Sequence, residues 1–156
     1  MGMSVEQALA QALAQIRPKI DNALSKEVAK VVKETQAQSA RTQVYGVYSP
    51  VMYPRRGSLS DQGQMTATVA GGVLTVRSTA TPSSFSIPAG RATTGKNLVQ
   101  LVEGGHGASG GYDFPTNRNY MYPRPFITIT AAQLEGSRQH ISALRSGLIR
   151  QGLKVR

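Results

Sequence analysis

From residue 4 to residue 39, apolar side chains recur every three or four positions: Val5, Leu9, Leu13, Ile16, Ile20, Leu24, Val28, Val31 and Thr35, with Ala8, Ala12 and Ala23 widening the stripe. That spacing predicts an amphipathic helix whose opposite side, Lys19, Lys26, Lys30, Lys33 and Glu34, faces water. Ser4 and Gln7 have the spacing of a capping box, in which hydroxyl and amide satisfy each other's backbone N–H. Pro18 lies inside the pattern, lacks an N–H and crowds the preceding turn, so a kink or break is expected near Arg17. Met1 and Gly2, ahead of Met3, read as an expression remnant, and residues 1–3 are expected to stand outside the fold.

Residues 44–57 are aromatic and proline-containing and read as extended chain that cannot be a central strand. Met65–Val69 and Val73–Ser78 alternate apolar and polar residues around Gly71–Gly72, a strong hairpin pattern. Leu98–Glu103 suits one or two helical turns, and Phe126–Thr130 reads as a strand or the lead-in to a helix. From Ala131 to Gln151 one helical face is marked by Leu134, Ile141, Leu144 and Leu148. Gly152 stops that helix, and Leu153–Arg156 is expected to pair as a short strand. The predicted class is α+β: a small antiparallel sheet packed by a long N-terminal helix and a C-terminal helix, in one domain over 1–156. Residues 79–97 and 104–120 form two long loops, uncharged for the most part, which read as arms that order against a neighbour.

Composition narrows the function classes. The 156 residues include 16 Gly and 8 Pro, and charged residues make up only 17%. No apolar run is long enough to span a bilayer, and no basic segment followed by an apolar run marks a secretory leader. There is no cysteine, which removes disulfides, thiolate metal sites and thiol nucleophiles. Eighteen Lys and Arg against eight Asp and Glu give a net charge of +10, which favours acidic partners such as nucleic acid.

Candidate chemistry is thin. Gly90–Asn97 approaches a phosphate-binding loop with Lys96 in place, but Asn97 stands where a magnesium-binding hydroxyl belongs, and no buried strand precedes it. Glu103, His106 and Asp113 could be drawn as a metal or acid–base site, yet they fall in a glycine-rich stretch, and His140 stands apart on a helix. Glu103 beside Gly104–Gly105 reads better as the end of a helical turn. No nucleophile elbow is present, and no catalytic residue, metal or cofactor is expected.

A repeat is more informative. Met-Tyr-Pro-Arg occurs at 52–55 and again at 121–124, followed by Arg56 and by Pro125–Phe126. Tyrosine and arginine are favoured at interfaces, and proline holds such a segment extended beforehand. Tyr53, Arg55, Arg56, Tyr122, Arg124 and Phe126 are therefore candidates for subunit contacts or for anchoring the arms, with Phe126 the one most suited to plugging the core. The last 21 residues hold Arg138, Arg145, Arg150, Lys154 and Arg156 without an acid, a candidate patch for DNA or an acidic partner.

The ordered series of Tyr53-Pro54-Arg55-Arg56, a hairpin at 66–77, Leu98–Gly105, Pro123–Phe126 and Gly147–Val155 resembles the head–tail joining, or tail-completion, proteins of long-tailed bacteriophages. Ser58–Asp61 departs from the paired glycine common in those relatives, and the 104–120 loop is unusually long. The resemblance implies a non-enzymatic virion protein made in the host cytoplasm. It would form a homo-oligomeric, sixfold-compatible ring in the neck, bound to connector and tail-tube or terminator proteins, around the channel for genomic DNA. A terminator capping the tail tube and a sequence-independent DNA-binding protein are the alternatives.

Overall fold

The computed structural model describes residues 4–47, 57–80, 98–104 and 123–155. Helix α1, Val5–Ala23, starts on the expected capping box: the Ser4 hydroxyl accepts from Gln7 N–H at 3.2 Å, and the Gln7 amide oxygen accepts from Ser4 N–H at 3.1 Å. It runs through Pro18 without a break. The carbonyl that Pro18 leaves without a donor belongs to Ala14, which is exposed, so water can serve it.

The helix then continues as a π-helical turn, Leu24–Val28, as α2, Ala29–Ser39, and as a second π-helical turn, Ala40–Tyr45. These pieces form one rod of about 60 Å at 1.5 Å per residue. Each π turn takes in an extra residue and rotates the face that follows. The buried set accordingly becomes Val28, Ala29, Gln36, Ala37, Ser39, Ala40 and Val44, while Val31 and Thr35 are only half-buried. Val44 and Tyr45 are helical here, not extended as their aromatic surroundings implied.

After two short 3₁₀ turns, strands β1 (Met65–Ala70) and β2 (Val73–Ser78) form the expected antiparallel hairpin. Gly71 and Gly72 both take positive φ, 61° and 79°, the backbone that a tight hairpin turn with the right twist demands. The register sets Met65 opposite Ser78, Ala67 opposite Val76 and Val69 opposite Leu74. This puts one apolar face against the π turn and α2, and leaves Thr66, Thr68 and Arg77 in water.

Helix α3 is Leu98–Gly104, and the C-terminal region folds as α4, Phe126–Ser137, and α5, Gln139–Arg150. The single helix expected over 131–151 is broken at Arg138, which takes the left-handed conformation at φ 53°. Phe126–Thr130 is thus the first part of a helix. No strand forms at 153–155: Leu153 N–H binds Leu148 O and Gly152 N–H binds Ile149 O, a Schellman closure that uses the donor a strand would need. The class is α+β as expected, a small antiparallel sheet packed by a long N-terminal helix and by C-terminal helices.

Close packing and hydrogen bonds fasten the rod to α5 and the residue after it. Gly147 lies so close to Ala23 and Glu27 that a Cβ there would come within 2.9 Å of both side chains. The Gln151 amide donates to Lys19 O at 3.0 Å and accepts from the Asn22 amide at 3.2 Å.

Candidate functional site

The core gathers Ala40, Val44, Leu59, Ala80, Val102 and Phe126, with Tyr45, Val99 and Ile127 packed against it. These residues sit within a few positions of the ends of three segments, 48–56, 81–97 and 105–122, that lie outside the described residues. The described residues that flank these segments therefore gather around one cluster.

Polar contacts set the geometry of these roots. Arg124 donates from Nη1 to Val44 O at 3.1 Å, and its backbone N–H binds Val102 O at 2.9 Å. Pro125, at φ −77° and ψ 58°, makes an inverse γ-turn closed by Phe126 N–H to Arg124 O. That turn drops Phe126 into the core, where it is fully buried and beyond the reach of a neighbour. Arg124 likewise anchors the chain on itself. Tyr45 fixes the 57–60 return by accepting Leu59 N–H on its hydroxyl at 3.0 Å.

Glu103 has a structural task. Its carboxylate accepts from Ile127 N–H at 2.9 Å, Thr128 N–H at 3.0 Å and the Thr128 hydroxyl at 2.8 Å. A full negative charge on the first, unpaired N–H groups of α4 satisfies donors and opposes the helix dipole. Glu103 thereby ties α3 to α4 across the 105–122 segment. His106, Asp113 and the glycine-rich stretch at 90–97 lie outside the described residues, as do Tyr53, Arg55, Arg56, Tyr122 and Arg156. Among the described residues, no cluster of three or more His, Asp or Glu is placed to hold a metal ion.

The basic C-terminal set is only partly open to a ligand. Arg150 is exposed but engaged by Glu27 at 2.6 Å, and Arg138, Arg145 and Lys154 are exposed as well. On the exposed face of α5, Arg138 and Arg145 alternate with Ile141 and Ile149, so the surface mixes cations with apolar area rather than forming a cationic track.

Two apolar surfaces have no partner among the described residues; periodicity marked the first as a stripe without showing that it is uncovered, and did not reveal the second. Val5, Leu9, Leu13 and Ile16 of α1 are 85%, 60%, 57% and 36% exposed, so most of the predicted core stripe of α1 stands in water. A groove of about 550 Å³ lies between the rod, β2 and the α4–α5 joint, lined by Val28, Val32, Leu74, Ala131, Leu134 and Ile141, with Glu135 and Arg138 at its edge. His140 also lines it, and its Nδ1 is buried without a hydrogen-bond partner. The Gly136–Ser137 pair inside the 131–151 pattern was the one trace in the sequence of the joint that shapes this groove.

The described residues thus form a long helical rod carrying a hairpin, with α3 and the start of α4 closing a core at its C-terminal end. The chain belongs to the YomN family, which it matches over residues 7–150. A relative, the SPbeta prophage-derived uncharacterized protein YomN of Bacillus subtilis (strain 168), is 29% identical over 133 residues, covering 84% of this chain and 83% of the relative. Through that relative the chain is phage-related. No solved structure matches it.

Proposed function

We propose that this protein is a structural part of a tailed phage particle, a neck subunit that forms a ring between head connector and tail and surrounds the DNA exit channel. The convergence of three segment roots on the Phe126 core carries this reading. Flanking residues that gather on one core bring the surface around them together, within reach of a neighbouring subunit. A ring also requires heterologous contacts, two different surfaces of the same chain meeting at each joint. The prophage-derived relative and the ordered motif series at 53–56, 98–105, 123–126 and 147–155 support the phage setting. A charge of +10 suits a subunit standing beside DNA.

Deleting the gene from an inducible phage and imaging the lysate tests this. The expected result is DNA-filled heads and finished tails that do not join, rescued by supplying the protein. Normal particles from the deletion strain would refute a neck role. Unfilled heads, or tails of uncontrolled length, would move the protein to head filling or to termination of the tail tube.

A further inference from the structure

We propose that the first four turns of α1 are a plug: Val5, Leu9, Leu13 and Ile16 of one copy pack into the groove between the rod, β2 and the α4–α5 joint of a second copy. Both surfaces are apolar and unpartnered among the described residues. A molecule cannot fill its own groove with its own plug. The groove wall includes Val28 and Val32, which belong to the same continuous rod as the stripe, and Ile16 lies about 18 Å along that rod from Val28. The base of α1 is fastened to α5 through Lys19, Asn22 and Ala23, so it cannot fold back.

Charge balance fits a sister copy as the occupant. Two molecules of net charge +10 repel overall, so they can associate only through patches that do not set cation against cation. Residues 4–18 carry one acid, Glu6, and one base, Arg17, among alanines and glutamines. The groove edge likewise carries one acid and one base, Glu135 and Arg138. DNA or an acidic protein would instead be drawn to the exposed cations Arg145 and Lys154. Plug and groove are different patches, so the contact is head-to-tail, the kind that closes rings. The inference rests on the ring reading for its biological setting, but the contact can be tested without it.

Because the chain has no cysteine, introduced thiols report the contact cleanly. Leu13→Cys and Ile141→Cys, at side chains 57% and 53% exposed, are purified separately as full chains, mixed, and treated with a short bismaleimide. The expected result is a cross-linked dimer in the mixture and in neither variant alone. Ile149→Cys, on α5 outside the groove, gives none with Leu13→Cys. A dimer from Leu13→Cys alone would mean paired α1 helices and would overturn the proposal. Oligomers by light scattering without cross-linking in the mixture would overturn the plug while leaving the ring intact. A monomer at every concentration would overturn the plug too, and the neck role would then stand or fall on the gene deletion. In support, Leu13→Glu is expected to keep its helical circular dichroism and to weaken self-association by about a hundredfold.

Discussion

Replacing Glu103 with alanine distinguishes a helix-capping carboxylate from a functional one. In the wild type the side chain satisfies two backbone N–H groups and a hydroxyl at the start of α4 and places a negative charge on the helix dipole. Losing a cap costs about 1 kcal/mol, and removing the charge from the dipole about 0.3–1 kcal/mol more. Glu103 is only half-buried, so water takes over part of the lost bonding. The expected sum is about 1–1.5 kcal/mol, or roughly 2–6 °C in melting temperature for a chain of this size. Thermal and urea denaturation followed by circular dichroism measures it. Glu34→Ala is the control, because the exposed Lys30–Glu34 pair at 4.0 Å is worth about 0.5 kcal/mol or less. Glu103→Gln, keeping one acceptor oxygen, should fall between wild type and alanine. A carboxylate held for catalysis or metal binding is commonly neutral or stabilising to remove. A Glu103→Ala variant as stable as wild type would therefore refute the capping role.

The other stability predictions follow from packing and backbone geometry. Phe126→Ala removes the largest fully buried side chain among the described residues and should cost about 3–5 kcal/mol, enough to shift the midpoint of a urea titration far down. Gly147→Ala sets a methyl 2.9 Å from Ala23 Cβ. Overpacking of about 1–3 kcal/mol against a helix-propensity gain of about 1 kcal/mol leaves a net loss near 1 kcal/mol, readable in the same titration. Arg138→Gly relieves a left-handed non-glycine residue and should stabilise the chain by about 1 kcal/mol in thermal melts. Pro18→Ala restores a donor and removes a clash in an exposed helix, so amide exchange over residues 5–17 should slow by at least tenfold while the global melting temperature barely moves.

Local chemistry determined much of this fold directly. Ser4 and Gln7 meet within one turn, Gly71–Gly72 sits between two alternating runs, and Leu98–Glu103 has the residues of a short helical turn. Such features depend on neighbours a few residues away, so composition and spacing suffice to read them. Where the long helix is buried was a tertiary decision. The stripe from Val5 to Thr35 is continuous in sequence, yet α5 is fastened to α1 near the C-terminal end of α1, and the π turn at Leu24–Val28 rotates the face that α2 offers to α4. An amphipathic pattern records that a helix has an apolar side, not which partner covers it or how far that partner extends. The same holds for the site. The repeated Met-Tyr-Pro-Arg marked Arg124 and Phe126 as special, but only the assembled core shows both turned inward, with Glu103 pinned to α4. The groove is made by Val28, Leu74 and Leu134, which are far apart in the chain, and no window of sequence contains it.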